Sequence, residues 1–156
     1  MIISDATTII ALINIDRFDI LKLFIGSIMI PTEVYKEVAK VEYAKKFIDK
    51  EAESGFIKVV SKKDDQRFRD FCFILDSGEA AAIALAIEKK KPLIIDEKKG
   101  RKFALKKGVK IVGLVGILRY LYIENQLKKE EVIEIIDKLN RSDFRVSDKL
   151  MEMILK

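Results

Sequence analysis

Asp5 ends the apolar run MIIS, Asp96 ends PLII with Glu97 directly behind it, Glu37 lies in PTEVYKEV, and Glu79 lies in LDSGEAAAIALA. A carboxylate at the tip of a buried strand is costly unless something binds it there. Two bare charges about 5 Å apart repel by roughly 3 kcal/mol at an effective dielectric near 20. Several such acids in one place call for a cation or for raised pKa values. Oxygen-only ligands favour magnesium or manganese over zinc. Each acid also has a local role open to it. Asp5 suits the N-cap of TTIIALINI, Asp76 and Glu79 suit the start of the alanine-rich helix, Asp96 with Glu97 suits the start of the next one, and Glu37 suits a surface.

The remaining composition narrows the chemistry. The chain has no histidine, which removes the commonest general base, the usual nucleophile triads and nearly every zinc site. Its single cysteine, Cys72, cannot form an internal disulfide, and in the run FCFIL it reads as a packed, inert thiol. No GxxxxGK[ST] stretch is present, so a P-loop ATPase is excluded. Net charge is +5, and basic residues cluster in EKKKP and DEKKGRKFALKKGVK, a pattern that fits a polyanion such as RNA or a solvated lysine-rich surface. Charged residues make up 35% of the chain and favour Lys and Glu, a balance similar to that of thermophile proteins.

These residues need a scaffold, and the patterning supplies one. Period and punctuation predict strands at MIIS, SIMI, FIKVV, PLIID and VKIV, separated by helices, with two or three more helices to the end. The most clearly marked helix is LDSGEAAAIALAIEKKK, with Asp76 or Ser77 as cap and lysines at its C-terminal end. Strands alternating with helices predict a parallel sheet covered on both faces. In such a sheet the functional crevice lies beyond the carboxyl ends of the strands, where strand order reverses. Asp5 and Asp96 both end strands, so neighbouring positions for those strands would join their carboxylates. A length of 156 residues, 49% of them hydrophobic, fits one domain, 1–156. Without a long apolar run or a leader-like N-terminus, the chain reads as soluble and cytoplasmic, with no membrane contact.

Taken in order, IISDATTIIALINIDRFDILKLF, IMIPTEVYKEV, LDSGEAAAIALA and PLIIDEKKGRKFALKKGVKIVGLVGIL resemble a PIN domain over nearly the whole chain, closest to its VapC-like toxin branch. The resemblance implies a three-layer α/β/α fold with a central, mostly parallel sheet of about five strands. It also implies a divalent-metal-dependent endoribonuclease with a four-acid pocket, often the toxin of a toxin–antitoxin pair, with RNA as substrate, an antitoxin protein as partner and a homodimer as assembly. The catalytic acids then fall on Asp5, Glu37, Glu79 and Asp96, with Glu97 the alternative fourth acid. Mg2+ or Mn2+ would be held by Asp5, Asp96, Glu79 and Glu97. Ala6 stands where the family often has Thr, which leaves Thr7 to supply a hydroxyl, while Lys99 and Arg101 are candidates to hold substrate phosphates.

Two other classes remain in view. A receiver-like signalling domain also gathers acids and magnesium at strand ends, but needs an acid pair at the first strand, where Asp5 stands alone, and an acid after the third, where IKVVSKK has none. A catalytically idle PIN-like module for RNA or protein binding shares every feature except turnover. The segment IVGLVGILRYLYIENQL is apolar over more than one helical face, so part of it should be buried against another helix or a second copy of the chain.

Overall fold

In a computed structural model that describes residues 1–156, the strands are β1 (Ile2–Ser4), β2 (Ile28–Pro31), β3 (Ile57–Val60), β4 (Leu93–Ile94) and β5 (Ile111–Val112). Each is short and, apart from β3 beyond Ile57 and β5, the two edge strands, buried, as strands covered on both faces must be. They form one sheet in the order β3-β2-β1-β4-β5, with every pair parallel. Parallel neighbours need crossovers, and helices fill each connection. Helices α1 (Ala6–Asn14) and α2 (Asp19–Phe24) follow β1, α3 (Thr32–Val38) and α4 (Glu42–Glu53) follow β2, and α5 (Asp65–Phe71) and α6 (Ser77–Lys89) follow β3. Helix α7 (Lys98–Lys106) joins β4 to β5, and α8 (Leu114–Ile123), α9 (Lys129–Arg141) and α10 (Asp148–Leu155) complete the chain. The architecture is the α/β sheet flanked by helices that the patterning predicts.

Helix α6 lies across β1, β2 and β4 and is buried on every side from Gly78 to Ala86. Its alanines let the helix approach the sheet closely, and Asp76 caps it by accepting the Glu79 amide at 2.8 Å. Chain order reverses between β1 and β4, with Ile3 opposite Leu93 and Ser4 opposite Ile94. The Asp5 amide extends that ladder by donating to the Ile94 carbonyl at 2.9 Å. The carboxyl ends of β1 and β4 therefore open the crevice where a ligand is expected. A receiver's doubly wound order is 2-1-3-4-5, which this sheet does not have.

Much of the apolar surface of α8 is covered within the chain, while Tyr120 and Ile123 stay about half exposed. Helices α2, α9 and α10 pack on it, the Tyr120 ring meets Phe24 edge-on at 5.6 Å, and Arg119 ties α10 down through the carbonyls of Ile154 and Lys156, each at 2.9 Å. The expectation for Cys72 is corrected, because the thiol is exposed. Phe71 and Leu75, four residues apart, turn inward, so the residues between them face out, and Phe73 is 89% exposed. A continuous apolar run thus became one turn of helix end with a single buried face. No helix is long and apolar enough to cross a membrane.

Candidate active site

Asp5 sits one residue past β1 and is the N-cap of α1, with extended backbone and a side chain that is 1% exposed. Its Oδ1 accepts the Thr8 amide at 3.3 Å, and its Oδ2 accepts the Asp96 amide at 3.3 Å. Burial first, and the Asp96 charge second, push the Asp5 pKa from 3.8 up to about 8. The two amide bonds pull the other way but do not offset desolvation.

Asp96 lies two residues past β4. Its Oδ1 accepts the Leu114 amide at 2.9 Å at the start of α8, and its Oδ2 accepts the Thr8 hydroxyl. Burial raises its pKa, while the bonds from Thr8 and Leu114 and the nearby Arg101 charge oppose that rise. The Arg101 guanidinium is itself anchored, since Nη1 donates to the Ile95 carbonyl at 2.9 Å.

Glu79 enters from the first turn of α6 and is 8% exposed, yet its Oε2 is buried without any hydrogen-bond partner. Burial, then Asp76, push its pKa up to about 7. Glu37, on α3, is raised by burial and by Asp76, with Lys40 opposing and Glu97 adding to the rise. Glu97 is exposed at the N-cap position of α7 and makes no capping bond. The structure thus brings Asp5 and Asp96 together through shared donors. Beside the same sheet edge it gathers Glu37, Glu79 and Glu97 around Asp76.

Glycines give these acids their room. A Cβ on Gly78 would lie 2.5 Å from the Glu37 Oε2, one on Gly100 would lie 2.6 Å from the Glu79 Oε2, and one on Gly113 would lie 2.7 Å from the Asp96 Oδ1 and 2.5 Å from the Arg101 Nη1. Gly113→Ala should therefore displace the Asp96 carboxylate or the guanidinium and cost about 1–3 kcal/mol, the usual range for overpacking. Gly26→Ala, with nothing within 4 Å, should cost less. Denaturant melts of the two variants check the contrast, and equal midpoints would remove the steric argument.

The all-carboxylate donor set, the orphaned Glu79 oxygen and the two raised pKa values fit a hard divalent cation. The carboxylates are not gathered into a ready cage, since no three of them lie close enough to hold one ion together. Two contributors escaped the sequence reading. The hydroxyl that holds a carboxylate is that of Thr8, whereas Thr7 is half-buried on the wall of a small cavity shared with Asn14, Glu97 and Phe144. The signal was available, because Thr8 stands three residues after the N-cap and so returns to Asp5's side of the helix. Asp76, which its sequence position marks as a cap, also acts by its charge on Glu37 and Glu79. Lys99 is exposed on α7, away from every hydrogen bond that builds the pocket.

Comparison with known proteins adds one finding. A family model described as PIN domain matches residues 1–156, the whole chain. No curated protein matches it.

Proposed function

We propose a function that proceeds from one fact: the chain belongs to the PIN-domain family, whose members are generally nucleases. The reading is a divalent-metal-dependent endoribonuclease that hydrolyses RNA phosphodiester bonds, in the role of a toxin held in check by an antitoxin protein. The observation that carries it is the buried pair Asp5 and Asp96, joined at the sheet's switch point beside a Glu79 oxygen that has no partner. Unpartnered carboxylate oxygens also occur on Glu33, Glu51 and Glu88, but only the Glu79 oxygen lies beside the Asp5–Asp96 pair, and the Glu79 pKa is pushed up to about 7.

Asp5, Asp96, Glu79 and Glu97 would hold Mg2+ or Mn2+ once their side chains draw in around it, since no three of them stand ready around one point in the fold. Such an ion, when bound, supplies Lewis acidity toward water and phosphate oxygens. The chain's own residues set up the rest. Thr8 and the Leu114 amide orient Asp96, and the Thr8 amide orients Asp5, so both carboxylates are placed before any ligand arrives. Glu37, whose carboxyl favours its protonated form more than a free glutamate does, is suited to holding a water or carrying a proton at its Oε atoms. Arg101, fixed at the Ile95 carbonyl, presents positive charge beside Asp96 for a phosphate, with Lys99 and the Thr7 hydroxyl farther out.

The test is cleavage of structured RNA by nuclease-free protein with manganese, with magnesium, and with chelator. Cleavage with either ion that stops on chelation is the expected result. Persistent cleavage in chelator would rule out the metal-dependent reading, and RNA binding with no cleavage under any condition would favour the idle module.

A further inference from the structure

Arg101 stands beside Asp96, but the lysines that end the two basic runs do not converge on the acids. Lys91 precedes β4 and Lys110 precedes β5, so both stand at the entry end of the sheet, whereas Asp5 and Asp96 stand at its exit. The Leu93 amide donates to the Lys110 carbonyl at 2.9 Å, which fixes the two entry segments side by side. Together with Lys90, Lys107 and Gly108 they line a cavity of about 400 Å3 that contains no acidic residue. None of these four lysines forms a salt bridge.

Lysines near helix C-termini often do no more than offset the carbonyl ends. That accounts for Lys89 and Lys106, which lie in the last turns of α6 and α7, and for Lys90, which closes α6 in the left-handed region at φ 54°. Lys107 is further engaged over the rings of Phe71 and Phe103, at 5.6 and 5.4 Å from their centroids. Lys91 and Lys110 lie outside both helices and have no such employment. Four cations without a salt bridge around one cavity repel one another, Lys107 least because it also borders a cavity with Asp64 and Asp70, and an anion seated among them relieves that repulsion.

We propose that the lysine-lined cavity at the entry end of β4 and β5, with Lys91 and Lys110 at its centre, is a phosphate-binding subsite for the RNA backbone, remote from the acidic pocket. It rests on the nuclease reading in one respect: an edge crowded with carboxylates repels a polyanion, so Arg101 alone at that edge leaves most of the affinity to positive charge elsewhere on the chain. The two ends lie only one strand length apart, the strands being 2 to 4 residues long, so an RNA strand passing outside the covering helices can reach both.

The test uses the full chain carrying Asp5→Asn, which leaves RNA uncut, and follows binding of a single-stranded RNA oligomer by fluorescence anisotropy over a range of salt. Adding Lys91→Gln and Lys110→Gln should weaken binding about tenfold and make the slope of log K against log salt shallower by about 1.4, the release expected for two single-strand phosphate contacts. Lys91→Arg with Lys110→Arg should keep both values. Unchanged affinity and slope in the Gln variant would overturn the proposal. So would equal loss in the Arg variant, or loss of polyglutamate binding with RNA binding intact, which would assign the cavity to an acidic protein. Lysine-dependent RNA binding by a protein that cuts nothing with either metal supports the subsite while removing the nuclease reading, so the two failures are distinguishable.

Discussion

Asp5→Asn is expected to lower RNA cleavage by more than about 100-fold while leaving RNA binding unchanged or tighter. Loss of a residue that merely supports a metal ligand typically costs 10 to 100-fold, so loss of a proposed ligand should exceed the upper end of that range. Asparagine keeps the shape of the side chain and its ability to accept an amide at the N-cap, so α1 keeps its start. Where Asp5 is ionised, above about pH 8 without metal, the substitution also removes negative charge facing a polyanion, which favours RNA approach. The same substitution should abolish any growth arrest caused by expressing the chain alone, as the toxin role requires. An idle module predicts that neither Asp5→Asn nor chelation alters any measured activity. Should purified protein cut no RNA with either metal and behave identically to its Asp5→Asn control, the nuclease reading is lost and the fold alone stands.

The second large effect is on stability against pH. In the fold the Asp5 carboxyl titrates at about 8 rather than 3.8, so between those values the folded chain holds a proton that the unfolded chain has released. Stability from this group is fully present below about pH 4, falls as pH rises, and is lost above about pH 8, at a slope of up to about 1.4 kcal/mol per pH unit. Glu79, lifted to about 7 from 4.5, acts in the same direction over a narrower window. Without metal, the wild-type chain should therefore melt at a progressively lower temperature than Asp5→Asn as pH rises from 5 to 8. Millimolar-range manganese should reverse the difference at pH 8 and do little at pH 5, where protons compete for the same oxygens. Parallel pH profiles for the two proteins in chelator would contradict a raised Asp5 pKa. A melting point at pH 8 that ignores manganese would count against the metal.

Much of the fold was legible because the signals that mark elements are local. A strand ending in an acid, a Pro31-Thr32 helix start, and an Asp76 cap with its Glu79 amide three residues on are relations between residues within one turn of each other. The same locality made Asp5, Glu79 and Asp96 visible as strand-end or helix-start residues, whereas Glu37 lies in the last turn of α3, and the absence of histidine bounded their chemistry. Where the pattern was only a run of apolar letters, it misled. The segment around Cys72 looks buried throughout, and just the packing of Phe71 and Leu75 decides which of its faces turns inward.

The pocket itself belongs to the tertiary structure. Asp5 and Asp96 are 91 residues apart, and nothing in either segment states that β1 pairs with β4; that follows from how five strands and the helices between them bury their apolar faces at once. The choice of Thr8 over Thr7 depends on which side of α1 faces β4. The roles of Gly78, Gly100 and Gly113 exist only against carboxylates brought in from other elements. The raised pKa values of Asp5 and Glu79 have the same origin, because desolvation measures what the rest of the chain has packed around a group. The sequence by itself determined the inventory of acids, lysines and element boundaries, since these rest on residue identity and short-range periodicity. Tertiary packing decided which acids meet, which oxygen is left without a partner, and that the lysines gather at the opposite end of the sheet, since contacts between residues distant in the chain are set by burial of the whole core.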